Sequence, residues 1–112
     1  MNKENEMLME RAVFKMYIMD GCPYCDKAHD VIVNEERVSL HVINITKDPH
    51  TRELIKEETG QSTLPAIFIG NEFIGGCDDL CALRDAGELE NKILKQENRI
   101  LKDEVLRLRR SL

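Results

Sequence analysis

The chain contains two pairs of closely spaced cysteines, and the first pair has the spacing of a redox site. Cys22 and Cys25 are separated by Pro23 and Tyr24, directly after a short apolar run that is typical of a strand. Two cysteines three residues apart on the first turn of a helix can close a disulfide, and the helix N-terminus favours a thiolate at the first of them. Because only the thiolate attacks a disulfide, the motif predicts thiol–disulfide exchange, with Cys22 as the exposed nucleophile and Cys25 as the inward-facing resolving thiol.

The second pair, Cys77 and Cys81, lies four residues apart at the start of a predicted helix. This placement is awkward for a disulfide within one helix. A zinc site that combines both pairs is one alternative, but Pro23 and Tyr24 inside the first pair argue against it, and we expect no metal to be required. We expect Cys77 to line the site and Cys81 to be a small buried apolar residue, with regulation by oxidation as a further alternative.

The elements that must position these thiols can be predicted from apolar periodicity and turn residues. β-branched and aromatic runs predict strands at 12–19, 38–45, 64–69 and 72–74, the last two joined by a tight turn. Proline and aspartate near helix starts predict helices that begin at Pro23 and at Asp48–Pro49, the second of which ends at Gly60. After a break at Gly75–Gly76, Asp78–Asp79 are expected to cap another short helix. This order predicts an α/β domain with a four-stranded mixed sheet flanked by helices.

Composition limits the classes of function. The chain has 112 residues and a formal net charge of −5, which fits one domain and argues against a nucleic-acid partner. No apolar run is long enough to cross a membrane, and the polar start lacks the apolar core of a signal peptide. We therefore expect a cytoplasmic protein with no membrane partner, where cysteines are more often reduced and catalytic than structural.

The C-terminal segment, 88–112, differs from the rest of the chain because it contains neither glycine nor proline and predicts one long helix. It follows a heptad repeat: d is Leu94, Leu101 and Leu108; a is Asn91, Asn98, Val105 and Leu112; e is Lys95, Lys102 and Arg109; g is Glu90, Glu97 and Glu104. Leucine at d, asparagine at a and opposite charges at e and g are typical of a parallel two-stranded coiled coil. The repeat favours a homo-oligomer formed through residues 88–112.

A second apolar stripe in the same segment allows another interpretation. Ile93 and Ile100 occupy c positions, where a coiled coil needs no apolar side chain. A single amphipathic helix that folds back on the domain would use them instead. If the isoleucines join the leucines, a larger bundle is also possible.

Three motifs together indicate a family. Cys22–Cys25, Thr63–Pro65 and Gly75–Asp79 stand in the order and spacing of a dithiol glutaredoxin, and Gly60–Pro65 and Gly87–Leu89 fit the same pattern. The chain resembles this family over about residues 12–94. The resemblance implies a thioredoxin-like fold and a glutathione-dependent oxidoreductase that reduces protein–glutathione mixed disulfides and protein disulfides. We divide the chain into a leader (1–11), a glutaredoxin domain (12–87) and the C-terminal helix (88–112).

The resemblance also implies the residues that bind glutathione, its co-substrate: Tyr24, Gln61, Thr63, Leu64, Pro65, Gly76, Cys77 and Asp78. In the family, the proline of this loop is cis, and the backbone before it holds the cysteinyl part of glutathione. A helix N-terminus after Gly76 suits the γ-glutamyl carboxylate, and Asp78 suits its ammonium group. The alternatives are ordinary: Pro65 as a strand start and Asp78 as a helix cap.

One position departs from the family pattern. Glutaredoxins usually carry a lysine three residues before the first cysteine, which helps to hold the glycyl carboxylate and to lower the thiol pKa. This chain has Met19 there. Gln61 can still donate a hydrogen bond to the glycyl carboxylate, and Lys27 on the following helix could compensate for the missing positive charge. We expect weaker glutathione affinity and a less acidic Cys22.

Two other functions are compatible with the sequence. Some glutaredoxins hold a [2Fe–2S] cluster between two subunits through the first cysteine and glutathione. In this chain Pro23 argues against that function, whereas a self-associating tail would favour it. The chain could also be an adaptor whose tail pairs with another coiled coil and brings the redox domain to one client.

Overall fold

The structure is a computed structural model that describes residues 11–111. In chain order the strands are β1 (Phe14–Ile18), β2 (Leu40–Asn44), β3 (Ala66–Ile69) and β4 (Glu72–Gly75). The helices are α1 (Pro23–Asp30), α2 (Pro49–Thr59), α3 (Cys77–Asp85) and α4 (Leu89–Arg110), and a π-helical turn, Val31–Glu35, extends α1.

Within the described residues, the strands form one mixed sheet in the order β2-β1-β3-β4. β1 runs parallel to β2 and antiparallel to β3, and β3 pairs with β4 as an antiparallel hairpin. The parallel pair needs a crossover, which α1 supplies. The predicted four-stranded mixed sheet with flanking helices is confirmed.

Two apolar clusters place helices on both faces of the sheet. The larger one joins β1 and β3 to α1, α3 and α4, and its fully buried side chains include Phe14, Met16, Ile32 and Leu80. The smaller cluster centres on Ile45, Ile55 and Ala66 and brings α2 to the other face. Alternate residues of β1 and β3 therefore serve both cores, as expected for a sheet covered on both sides.

The predicted boundaries need correction around the second half of the sheet. β3 begins at Ala66 rather than at residue 64, because Pro65 follows a cis peptide bond and has no N–H to donate to the ladder. β4 continues through Gly75 instead of stopping before it. Helix α3 begins at Cys77 with Gly76 as its N-cap, so Asp78–Asp79 do not precede the helix but form part of its first turn.

The long C-terminal helix is present as α4 and packs against the domain. Leu89 and Ile93 are buried in the larger cluster, and Ile100 packs against it. Two ion pairs support the contact, one between Lys92 and Glu72 and one between Arg11 and Glu104. Residues 1–10 of the predicted leader and Leu112 of the heptad repeat lie outside the described residues. Among residues 11–111, no helix combines the length and hydropathy of a membrane span.

Candidate active site

The first cysteine pair lies where β1 delivers the chain to α1. Cys22 is the N-cap of α1, Pro23 occupies its first turn, and the backbone N–H of Cys25 donates to Cys22 Sγ at 3.2 Å. The two cysteines are joined as a disulfide, with their Cα atoms 5.2 Å apart. Cys25 is only 3% exposed, whereas Cys22 is half-buried. An incoming thiol therefore reaches Cys22 first, and the free N–H groups at the helix start favour its thiolate.

The second motif lies directly against Cys22. The Leu64–Pro65 peptide bond is cis, as the sequence resemblance implied. The Leu64 carbonyl oxygen lies 3.7 Å from Cys22 Sγ, although 42 residues separate them along the chain. Thr63, before this bond, is exposed. The loop thus presents backbone groups beside the sulfur, where an extended cysteinyl substrate can pair with them.

Gln61 has a structural role that its sequence position did not reveal. Its Nε2 donates to the carbonyl oxygens of Thr63, at 2.8 Å, and Pro65, at 2.9 Å. The amide therefore clamps the two sides of the cis-proline loop. To bind a carboxylate, as the sequence suggested, Gln61 must exchange at least one of these bonds, so we assign it first to positioning the loop.

The third motif completes one wall of the site. Gly75 has φ 111°, and a Cβ there would collide with the Asp79 carboxylate. That carboxylate accepts a hydrogen bond from the Gly76 N–H at 2.9 Å. Gly76 also approaches the second motif, since a Cβ added to it would lie 3.6 Å from the Pro65 carbonyl oxygen. The glycine pair thus allows the close approach that brings the start of α3 to the cis-proline loop.

The first turn of α3 has the features of an anion site next to an acidic one. Its leading N–H groups, on Cys77 and Asp78, have no acceptor within the helix, and the N-cap Gly76 has no side chain to supply one. The Asp78 side chain is exposed, whereas the Asp79 side chain is engaged by Gly76. Such a pair of features suits a zwitterion carrying a carboxylate and an ammonium group.

The second cysteine pair is chemically different from the first. Burial, and next the neighbouring Cys81, raise the pKa of the Cys77 thiol, while Lys27 acts weakly in the opposite direction. Cys77 is therefore a protonated, 4% exposed thiol at neutral pH and a poor competitor of Cys22. Cys81 is half-buried against the larger core. Among residues 11–111, no group of three or more His, Cys, Asp or Glu side chains is placed to hold a metal ion.

The remaining predicted residues border the site. Tyr24 is 60% exposed beside the cysteines, and Met19 is half-buried directly after β1. Lys27 is exposed on α1 and influences the pKa of Cys77. The candidate site therefore has an aromatic rim but lacks a cation directly before the first cysteine.

A polar network with no signal in the sequence pattern holds the turn before Cys22. The Asp20 carboxylate accepts from Asn44 Nδ2 at 2.8 Å, and the Asp20 N–H donates to Thr46 Oγ1 at 2.7 Å. Thr46 Oγ1 in turn donates to Asn44 Oδ1 at 2.7 Å. This network ties the β1–α1 turn to the end of β2, so that Cys22 is presented from a fixed loop.

Residues 14–74 match the Glutaredoxin family model. The chain belongs to the glutaredoxin family. It is 35% identical to Glutaredoxin-1 of Homo sapiens over 83 residues, covering 70% of this chain and 78% of that protein. It is 37% identical to Glutaredoxin 3 of Escherichia coli K12 over 76 residues, covering 68% of this chain and 90% of the relative.

Solved structures give the same fold. A dithiolic glutaredoxin of Trypanosoma brucei brucei aligns with a TM-score of 0.66 at 30% identity, covering 83% of this chain and 97% of that one. A buckwheat glutaredoxin–glutathione complex aligns with a TM-score of 0.72 at 20% identity, covering 83% and 87%. The chain is therefore a glutaredoxin-type thiol–disulfide oxidoreductase with a thioredoxin-like fold and a dithiol pair at Cys22 and Cys25.

Proposed function

We propose that the protein uses glutathione to reduce protein–glutathione mixed disulfides and, through both cysteines, protein disulfides. The observation that carries this proposal is the convergence of three separate segments on one sulfur. Cys22 Sγ lies 3.7 Å from the Leu64 carbonyl oxygen, and the cis-proline loop in turn contacts Gly76 at the start of α3. A general dithiol needs only the first motif, whereas the other two supply groups that match glutathione.

Each part of glutathione has a complementary group in this arrangement. The backbone of Leu64 can pair with the cysteinyl residue, which places the glutathione sulfur next to Cys22. The N–H groups at the start of α3 can bind the γ-glutamyl carboxylate, and the exposed Asp78 carboxylate can pair with the ammonium group. A buckwheat relative of the same fold forms a complex with glutathione, which supports this assignment.

The reaction on a mixed disulfide proceeds by two exchanges. The Cys22 thiolate attacks the glutathione sulfur; a new S–S bond forms, and the target protein leaves as its thiolate and takes up a proton. A second glutathione thiolate then attacks the glutathione sulfur bound to Cys22, which releases oxidised glutathione and restores the Cys22 thiolate. In the net reaction, the mixed disulfide and one free glutathione become the target thiol and oxidised glutathione, so that the disulfide bond passes from the target to glutathione.

Protein disulfides require the second cysteine. After Cys22 forms a mixed disulfide with the substrate protein, Cys25 attacks Cys22 Sγ and releases the dithiol product. The enzyme is left with the Cys22–Cys25 disulfide, the state seen in the structure. Two glutathione molecules then reduce it. The N-cap position of Cys22 stabilises the thiolate in both reactions.

Substitution of each cysteine by serine tests the assignment. We expect Cys22→Ser to abolish both reactions, because no other described thiol is exposed at the site. We expect Cys25→Ser to keep activity on a glutathionylated peptide and to lose activity on a peptide disulfide. If deglutathionylation survives the loss of Cys22, the proposed nucleophile is wrong; if the Cys25→Ser variant reduces neither substrate, the glutathione pathway is wrong.

A further inference from the structure

Helix α4 has two apolar faces, and the domain covers only one of them. Leu89 and Ile93 are 1% and 5% exposed in the larger core, and Ile100 packs against that core. The heptad leucines lie on another side of the helix: Leu94 is 50%, Leu101 58% and Leu108 66% exposed, and Val105 is 46% exposed. The fold-back and coiled-coil interpretations of this segment therefore use different faces and do not exclude each other.

We propose that this exposed stripe, Leu94–Leu101–Val105–Leu108, binds the same stripe of a second copy of the chain as a parallel, in-register two-stranded coiled coil. Four large apolar side chains lie along one line of a 22-residue helix, interrupted by Asn98, and their exposure favours burial against a partner. The a and d register of these residues is the geometry that such a helix pair requires.

The charges beside the stripe favour a second copy in parallel orientation. Acidic residues occupy g and basic residues occupy e throughout: Glu90, Glu97 and Glu104 against Lys95, Lys102 and Arg109. In a parallel pair, each g residue meets the e residue five positions later on the partner, so every such contact is attractive. In an antiparallel pair, g meets g and e meets e, so every contact would join like charges.

Asn98 adds a reason for a dimer in one register. It is exposed on α4 at an a position between Leu94 and Leu101. Two asparagines facing each other can hydrogen-bond in a parallel dimer, whereas a shift by one heptad would place Asn98 of one copy against the apolar Val105 of the other. Asn98 thus favours a two-stranded coiled coil, although a polar side chain in the interface lowers the stability of the dimer.

One of the three charge pairs has a competing partner within the chain. Glu104 Oε1 lies 2.9 Å from Arg11 Nε in an ion pair with the domain. Glu90 and Glu97 have no ion-pair partner in the part of the chain that the structure describes. The contacts of Glu90 with Lys95, and of Glu97 with Lys102, across the two copies therefore contribute most to orientation.

The location of α4 leaves both active sites accessible in this dimer. The helix packs beside the β3–β4 turn, where the Gln96 side chain lies against Gly70, and its Glu104 pairs with Arg11 just before β1. Cys22 and Pro65 lie at the opposite ends of β1 and β3. The dimer would hold two dithiol sites apart, each open to substrate, rather than facing each other across the interface.

Sedimentation of the full chain, measured from micromolar to millimolar concentration, tests the proposal. We expect the wild type to reach twice its chain mass of 12.9 kDa and the Leu101→Glu variant to sediment as a monomer. Leu106→Glu is the matched control, because Leu106 is 48% exposed on the same helix but at a b position. It should remain a dimer. Unchanged melting temperatures would show that both variants fold.

Charge exchange tests the orientation. A Lys95→Glu/Lys102→Glu variant and a Glu90→Lys/Glu97→Lys variant should each self-associate more weakly than the wild type, because each places like charges at g and e. Mixed together they should form a heterodimer, because one variant is then acidic and the other basic at these positions, which restores opposite charges on both edges of the pair. If either variant self-associates as strongly as the wild type, the parallel orientation is wrong, because an antiparallel pair would join like charges already in the wild type. Failure of the mixture to associate would overturn the role of these charges.

Two other results would overturn the proposal. A wild type that stays monomeric across the concentration range excludes a second copy as the occupant. If a chain lacking residues 1–10 dimerises when the full chain does not, the leader covers the stripe instead. Neither result touches the dithiol chemistry, since activity of the Leu101→Glu variant reports on the proposed function separately.

Discussion

At the scale of single residues, two thiols of the site differ in their burial, and two neighbouring carboxylates differ in their hydrogen bonds. Cys22 is half-buried at a helix N-terminus, while burial raises the pKa of Cys77 and keeps it protonated. Asp78 projects to solvent, while Asp79 is used to cap α3. In the thiol pair and in the carboxylate pair, one side chain is therefore available to substrate and the other stabilises the fold.

Asp78 provides a residue-scale prediction. Asp78→Asn removes the charge proposed to meet the glutathione ammonium but keeps the size of the side chain. We expect KM for a glutathionylated peptide to rise about tenfold with little change in kcat, the loss of one charge-assisted hydrogen bond. Asp85→Asn, at the far end of the same helix, is the control and should leave steady-state kinetics unchanged. Equal kinetics for both variants would remove Asp78 from the binding site.

At the scale of the elements, the active site is formed at the ends of helices and strands, so the residues at these ends determine its geometry. The glycines show this, because Gly21 and Gly75 both adopt positive φ, of 67° and 111°, but only Gly75 faces a neighbour. Alanine at Gly21 would meet nothing, whereas alanine at Gly75 would strike Asp79, whose carboxylate caps α3. The conformation of one backbone position thus controls the start of the helix that lines the site.

These two glycines give a stability prediction. We expect Gly21→Ala to lower the free energy of unfolding by about 1 kcal/mol, the cost of a left-handed alanine. We expect Gly75→Ala to cost about 2–3 kcal/mol, because strain and a collision with Asp79 add to it. Chemical denaturation of both variants measures the difference. An equal loss in both would mean that Asp79 moves aside freely.

The start of α2 gives a pH prediction. Hydrogen bonds from the Thr51 hydroxyl and backbone N–H to the Asp48 carboxylate hold the pKa of Asp48 below its ordinary 3.8. The stability that Asp48 contributes is therefore complete above pH 3.8 and is lost as pH falls through the lowered pKa. Asp48→Asn keeps a cap that does not titrate, so its melting temperature should fall less steeply than that of the wild type below pH 3.8. Parallel slopes would contradict this.

The sequence predicted local elements well and long-range polar contacts poorly. The strands at 14–18 and 66–69, the cap at Asp48 and the stop at Gly60 follow from residue types that act within a few positions. The Asp20–Asn44 hydrogen bond joins residues 24 positions apart, and no local sequence pattern predicts it. The same holds for the contact between Leu64 and Cys22, which only family resemblance suggested.

At the scale of the whole molecule, one apolar face of α4 packs against the domain and the other is exposed to solvent. The sequence left coiled coil and fold-back as alternatives, because heptad leucines and the two isoleucines each form a stripe. Only packing shows that the isoleucine face meets the domain, with Ile93 in the same core as Phe14 and Leu80. The first turns of α4 are thus part of the core that supports the redox site.

This division predicts opposite effects of two truncations. Ile93→Ala should lower the free energy of unfolding by about 2–4 kcal/mol, because it opens a cavity in the core. Leu101→Ala should leave the stability of the single chain nearly unchanged while weakening self-association. Denaturation at low concentration and sedimentation at high concentration separate the two effects. A large loss of stability for Leu101→Ala in the monomer would mean that this face is covered within one chain.

The proposed function depends on the reaction of Cys22 with the glutathione sulfur of a mixed disulfide. The most direct measurement is mass spectrometry of the Cys25→Ser variant after brief reaction with a glutathionylated peptide, since without Cys25 the first mixed disulfide persists. We expect that Cys22 carries glutathione and that the peptide is released as its free thiol. A variant that instead carries the peptide on Cys22 and releases glutathione would contradict it.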